Sequence, residues 1–447
     1  MEQQHMFTNR MIRNLLVPVV LEQILNSIMG TADTMMVSNV GSAALSAVSL
    51  VDSINILLIQ AFSALAAGGA IVCAQYIGQK NYEKANMSAR SGFCFIITAI
   101  SVAVSAVCLI FQKPLLRLIF GSVEADVMRA SETYFFFTAL SFPFIASYDA
   151  AASIFRAQEN TKGPMIISMI SNVMNIGGNA VLIWVFHMGV AGAAISTLVS
   201  RVFCAVVVLY QLRKDRQPIV VKDYLKIRPD WSMIGRILGL GIPSGIENSM
   251  FQLGKLAIQS TVSTLGTAAI AAQAMTNILE NLNGIAAIGV GVGLMTIVGQ
   301  CLGAGRKDEA VYYIKNSSVI AEIVIIVSCL TVYALARPVT ILGGMEKSSA
   351  VMCIHMITWI TIVKPLVWTM AFVPGYGLRA AGDVKFSMIT SCCTMWACRF
   401  CLCVFLIRVL GFGPMGVWIG MFADWTVRGI IFTWRFHSRR WLEHKVI

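Results

Sequence analysis

The costly residues of this hydrophobic chain occur twice. At the offset that carries Pro18 onto Pro243, Glu22 falls on Glu247, Gly41 on Gly266, Gly68 on Gly293, Gln75 on Gln300, Gly78 on Gly303 and Ala85 on Ala310. A slightly smaller offset carries Arg156 onto Arg379, Lys162 onto Lys385, and Gly189 and Gly192 onto Gly413 and Gly416. Coincidence at alanine or valine is cheap in so apolar a chain; coincidence at proline, glutamate, glutamine and several glycines is not. The drift in offset corresponds to a few loop residues gained or lost. A duplication of this length in a hydrophobic chain points to two matching lobes around a central site, the architecture of many carriers.

Composition places those lobes in a bilayer. Hydrophobic residues make up 57% of the chain and charged residues only 13%, against about 25% charged in soluble domains. The apolar runs are continuous and long enough for helices, not the alternating segments of about ten residues that build outer-membrane barrels. The expected fold is therefore an all-α polytopic membrane protein. Its spans are expected at 14–38, 45–77, 91–112, 131–155, 163–186 and 190–212, then at 234–264, 268–302, 313–336, 350–378, 385–408 and 413–436. This gives twelve transmembrane helices in two six-helix lobes: a first lobe at 1–212, a polar cytoplasmic linker at 213–233 and a second lobe at 234–447. Pro18, Pro143, Pro243, Pro365 and Pro374 fall within spans as natural bend points.

The net charge of +12 sits mostly in loops, which favours topology-setting over a nucleic-acid surface. One side collects Arg10 and Arg13, Lys80, Lys84 and Arg90, Arg156 and Lys162, the linker's Arg213, Lys214, Arg216, Lys222, Lys226 and Arg228, and the basic C-terminus. The other side has only Lys113, Arg117, Arg129, Arg337, Lys347 and Arg408. By the positive-inside rule both termini and the linker lie in the cytoplasm. An even number of spans per lobe makes the repeat parallel, related by a pseudo-twofold axis along the membrane normal. Arg10 and Arg13 lead into a span without a cleavage site, so the first helix is expected to be retained.

Ionisable groups inside spans cost several kcal/mol and are functional candidates by default. Asp33, in the first span, is the foremost; its repeat mate is Ile258, so one lobe alone has an acid there. The alternative is an aspartate hydrogen-bonded to a neighbour for packing. Asn172, Asn175 and Asn179 share one helical face by their spacing. They suit an acid that changes protonation state, or simple helix–helix bonding in lipid. Glu22 and Glu247 are repeat mates, which favours an architectural role at least as much as a chemical one. Lys255 is expected to approach Glu247 or Glu280 across the second lobe. Asp52 and Asp149 lie near helix ends, where water can reach them; Asp424 is deeper and has no assigned role.

Other motifs favour structure. Gln75-Tyr-Ile-Gly78 and Gln300-Cys-Leu-Gly303 end spans before basic loops, and their glycines fit helix C-caps. Twelve cysteines include one CxxC, Cys398 and Cys401, with no second pair at zinc spacing, so no metal and no cofactor is expected. No phosphate-binding G-x-x-x-x-G-K-[ST] is present. The scattered His5, His187, His355, His437 and His444 argue against a membrane enzyme, so the chain is not expected to be one.

Together these residues resemble the multidrug and toxic compound extrusion (MATE) family. The resemblance rests on the proline-led first span ending in Ala32-Asp33-Thr34 and on the Gln75 and Gln300 span ends. It rests equally on the Arg156 and Leu378-Arg379-Ala-Ala-Gly382-Asp383 loops, and on Gly189-Val-Ala-Gly192 with Gly413-Pro-Met-Gly416-Val-Trp418. It implies export of organic, often cationic, drug-like compounds against proton or sodium entry, by a monomer in the cytoplasmic (inner) membrane. Asp33 matches the family's first-span acid and Asn175 its supporting asparagine. Asn179 stands where many relatives carry a second aspartate. With no acid in 366–378, Glu247, Glu280 and Lys255 become the second-lobe cavity candidates, and the DinF-like branch is the nearer fit. Lys255, Lys364 and Arg399 keep open an alternative: a lipid-linked oligosaccharide flippase of the same superfamily, binding a pyrophosphate head.

Overall fold

The computed structural model describes residues 5–90, 95–121, 124–214, 217–222 and 229–447. Arg216, Lys226 and Arg228 of the expected linker, and the start of the third expected span at 91–94, lie outside the described residues. Regular secondary structure among the described residues is entirely helical.

Each expected span has its helix. In the first half these are α1 (Asn9–Ser38), α2 (Ser42–Gly78), α3 (Phe95–Ile110), the bent pair α4 (Ala125–Leu140 and Phe142–Ala157), α5 (Lys162–Asn179, continued by a π-helical turn over Ala180–Val185) and α6 (Gly189–Leu212). In the second half they are α7 (Trp231–Val262), α8 (Thr267–Gly303), α9 (Lys307–Leu342), α10 (Lys347–Ala380), α11 (Val384–Cys393, a π-helical stretch Thr394–Cys401, then Leu402–Arg408) and α12 (Met415–His437). Among the described residues eight helices are long and apolar enough to cross a membrane, or ten with each bent pair taken as one span. The two that fall short, α7 and α12, are long enough but carry Arg236, Glu247 and Lys255, and Asp424, Arg428 and Arg435. Long polar-bearing helices of this kind persist in a bilayer when their charged groups face protein rather than lipid.

Of the expected bend points, Pro143 marks a break: it opens the second half of α4, turned 41° from the first. Helix runs on through Pro18, Pro243, Pro365 and Pro374. A second bend, 77°, follows α3, where the chain turns into Gln112–Phe120.

The duplication extends to packing and to backbone turns. In the first half α2 packs on α4 and α4 on α6; in the second, α8 packs on α10 and α10 on α12. Left-handed residues pair across the repeat: Gly41 with Gly266, Lys80 with Gly305, Gly121 with Gly344, Glu159 with Gly382, His187 with Gly411, and Gly189 with Gly413. Only Arg439 among those described has no counterpart. This corrects the expected caps. Gly78 and Gly303 are the last residues of their helices, and the left-handed position comes two residues later, at Lys80 and Gly305. There Asn81 N–H donates to the Tyr76 carbonyl and Arg306 N–H to that of Cys301, closing the same terminal turn in each copy.

The chain divides into two compact units. One is Met1–Ile12 with Ile246–Val446; the other is Arg13–Gly245 with Ile447. The first half of α7 therefore belongs with α1–α6. Gly68 and Gly241 make this possible: a Cβ on Gly68 would lie 2.8 Å from the Gly241 nitrogen, so only bare backbone permits the crossing of α2 and α7. The extreme N-terminus belongs with the second-half helices. Met6 N–H donates to Glu309 (2.8 Å), Phe7 N–H to the Tyr313 hydroxyl (2.9 Å), and His5 stacks on Tyr312 at 4.6 Å. In the same unit the fully buried Trp418 donates its indole N–H to Gln273 at 3.0 Å, joining α12 to α8.

Candidate functional site

Asp33 lies half-buried on α1, near its C-terminal end. On α5, Asn175 and Asn179 are four residues apart and so share a face; both are fully buried. The structure brings the three together. Asn179 Nδ2 donates to Asp33 Oδ1 at 2.5 Å and to Asn175 Oδ1 at 3.3 Å. Asn175 Nδ2 in turn donates to Thr197 Oγ1 on α6 at 3.2 Å, and that hydroxyl donates to the Ala193 carbonyl. Gly178 permits this closeness, since a Cβ there would meet the Ser196 hydroxyl at 2.4 Å. Ser196 uses that approach to donate to the Asn175 carbonyl at 2.8 Å.

The direction of these bonds matters. Both Asn179 amide donors point to acceptors, so its Oδ1 faces inward, and it has no partner. Asp33 has no ion pair among the described residues. Arg201 is near enough to act on it electrostatically, but a guanidinium N–H of Arg201 is given to Ser141 Oγ at 2.7 Å. A carboxylate held by one amide, beside an unpartnered carbonyl oxygen, is a set of acceptors fit for a small cation or a proton. The π-helical turn that follows Asn179 fits this pattern, since such turns are frequent at functional sites.

Sequence reasoning missed Thr197 and Tyr134; it marked Asp52 as an acid near a helix end, but not that Asp52 meets Tyr134 and lies in electrostatic reach of Arg201. Asp52 accepts from Asn55 (3.1 Å) and from the Tyr134 hydroxyl (3.2 Å). Asp149 accepts from Ser63 at 2.5 Å. Thr197 and Tyr134 are unremarkable residue types in an apolar helix, and no spacing rule singles them out. Asn172 is a turn away from the chain of bonds and reaches Asn26 at 3.4 Å.

The repeat-mated glutamates have a common partner type. Glu22 accepts from Tyr148 (3.2 Å) and pairs with Arg156 at 3.5 Å; Glu247 pairs with Arg379 at 2.5 Å. Arg156 and Arg379 are themselves repeat mates, so each copy ties its first helix to its fourth in the same way. Glu247 is thereby committed to Arg379. Lys255 is instead in electrostatic reach of Glu280 and Arg399. Glu280 Oε1 takes the ammonium of the fully buried Lys364 at 2.6 Å, and Lys364 also donates to Asn283. Asp424, also fully buried, holds Arg428 at 2.9 and 3.2 Å.

Removing the Asn175 amide breaks its bond to Thr197 and leaves Asn179 with one acceptor fewer. Asn172 has no such role. Asn175→Ala is therefore expected to lower coupled transport at least tenfold more than Asn172→Ala, each hydrogen bond being worth about 0.5–1.5 kcal/mol and the buried orphan donor costing about as much again. Uptake in vesicles at equal reconstitution measures this. Equal loss in both variants contradicts the assignment.

The profile of the MatE family matches this chain twice, at residues 18–181 and 243–405, starting at Pro18 and at Pro243. The chain is 26% identical over 435 residues to the transporter YisQ of Bacillus subtilis (strain 168), covering 95% of this chain and 93% of that one. It is 24% identical over 440 residues to the probable multidrug resistance protein NorM of Thermotoga maritima, covering 97% and 93%. A crystal structure of a MATE protein in complex with MaD3S shares the fold, with a TM-score of 0.89 at 18% identity over 96% of this chain and 95% of that one.

Proposed function

The chain belongs to the MatE family, and on that premise we propose that it is a secondary active efflux transporter, exporting organic, often cationic, drug-like compounds in exchange for protons or sodium ions. As a family of multi-pass membrane carriers, MatE proteins are transporters and not enzymes. The observation that carries the coupling mechanism is Asp33: a carboxylate within a membrane helix whose hydrogen-bond partner is a neutral amide. Such a group takes up or releases one positive charge with little rearrangement, because no fixed cation competes for it. Asn175 and Asn179 hold it in register with α5, so occupancy of the carboxylate acts on the packing of α1 against α5 and α6. The relatives named for multidrug resistance support the substrate class. Loop charge supports cytoplasmic termini in a cell membrane.

The test is transport driven by one gradient at a time. Export of a monovalent organic cation opposes an inside-negative potential at about 2.3 kcal/mol per 100 mV, and one entering proton returns the same amount. A one-for-one exchange is then electroneutral, driven by about 1.4 kcal/mol per pH unit. Asp52 is already bound by Asn55 and Tyr134, and Asn179 stands where a second acid would act, so one charge per cycle is expected from this lobe. Steady-state accumulation in vesicles should follow the pH gradient, or the sodium gradient, and ignore a potential clamped with potassium and valinomycin. A steep rise with inside-negative potential means that more than one ion enters per substrate, which Asp33 alone cannot supply.

A further inference from the structure

The helices that build the acid site have repeat mates in the second half, and there the charge is reversed. At the offset that carries Gly189 onto Gly413, Asn175 falls on Arg399. At the offset that carries Pro18 onto Pro243, Gly30 falls on Lys255, Asn55 on Glu280 and Asp33 on Ile258. Where α1 and α5 offer a carboxylate and amides, α7 and α11 offer an ammonium and a guanidinium. Arg399 sits in the π-helical stretch of α11, as Asn179 abuts that of α5.

Among the described residues these cations have no ion pair. Four bases and two acids act on one another here: Glu280 is taken by Lys364 and Asp424 by Arg428, which leaves Lys255 and Arg399. Both approach the same ring, Lys255 Nζ at 5.0 Å and Arg399 Cζ at 5.2 Å from the centroid of Phe251. Arg399 is only 4% exposed, and its Nε–H has no partner. A second buried donor, Asn283 Nδ2, is also unpartnered; its orientation is fixed because Asn283 Oδ1 accepts from Lys364. Orphans near the acid site include the Asn179 and Asn55 carbonyl oxygens, whereas here they include N–H groups. A buried guanidinium without an anion is costly, and two unpaired cations near one ring repel. Both costs vanish if an anion completes the set.

The geometry points to a binding site for the anionic oxygens of a carboxylate or phosphate group, held by Lys255 and Arg399 beside Phe251 within the second-half helices. Arg399 supplies a planar donor pair suited to two oxygens, and Lys255 a mobile point charge. This deepens the reading of the chain as an exporter by giving its substrates a class: compounds that carry an acidic group, including those that are also cationic elsewhere.

The full chain is purified into nanodiscs of zwitterionic lipid and titrated, by fluorescence anisotropy and without any gradient, with a rhodamine bearing a free carboxylate and with the methyl ester of the same dye. The carboxylate form is expected to bind roughly tenfold more tightly, the size of one charge-assisted hydrogen bond. That preference should fall to near parity in Arg399→Gln and in Lys255→Gln, and Arg399→Lys should restore part of it. Lys255 is exposed, so its variant keeps the test decisive if the buried arginine proves necessary for folding. Inorganic phosphate competing for the carboxylate dye supports a soluble anion as occupant. Competition by phosphatidylglycerol in the disc, but not by phosphate, supports a lipid head group. No preference in the wild type, or a preference unchanged in both glutamine variants, overturns the proposal. Because binding is read at equilibrium, failure of the export reading shows separately, as absence of gradient-driven efflux of either dye.

Discussion

Asp33→Asn is expected to abolish coupled export and to leave the protein folded. Asparagine is nearly isosteric with aspartate and still offers a carbonyl oxygen to Asn179 Nδ2, so the 2.5 Å contact between α1 and α5 is kept as a neutral hydrogen bond. It cannot exchange a proton, and it brings no negative charge to a sodium ion. Folding does not suffer, because no ion pair is broken: Arg201 acts on Asp33 only at a distance and has Ser141 as its partner. Drug resistance of cells expressing the variant should fall to that of cells without the transporter, at equal membrane expression and an unchanged melting temperature. Resistance equal to wild type removes Asp33 from the coupling mechanism.

The largest stability effect is expected at Lys364. Its ammonium is fully buried and is held by Glu280, Asn283 and the Glu280 carbonyl. Lys364→Met strands the Glu280 carboxylate and should cost about 3–5 kcal/mol, the usual consequence of removing one member of a buried pair. Glu280→Gln leaves the ammonium with neutral acceptors only and should also destabilise. The double variant, Lys364→Met with Glu280→Gln, carries no unpaired charge and should be more stable than Lys364→Met alone. Thermal unfolding in one detergent compares them. If the double variant melts lower than either single one, the pair is not what holds α8 to α10.

Much of the molecule was legible before any coordinates. Duplication and hydropathy placed every span on a helix, because in lipid a spanning segment must satisfy its own backbone and only a helix does so locally. The asparagine spacing on α5 placed Asn175 and Asn179 on one face, and the unmatched Asp33 is the acid that the structure brings to them. Other features were hidden for identifiable reasons. Lys80, Glu159 and His187 take left-handed positions that their repeat mates fill with glycine, and nothing in those side chains signals it. Loop charge marks where the chain leaves the bilayer, but not that the first half of α7 belongs to the first-half unit; that was decided by the bare-backbone crossing of Gly68 and Gly241.

The sequence by itself thus determined the class, the number of spans, the duplication and the acid that stands alone in one copy, since periodicity, hydropathy and the cost of a buried charge are written locally along a helix. Only the tertiary structure decided which charges meet. Glu22 with Arg156 and Glu247 with Arg379 are joined across long stretches of chain, and so is Lys364 with Glu280. Once those pairs are formed, Lys255 and Arg399 are left over. An ion pair is a relation between helices, set by how they pack, and no single helix carries it in its sequence.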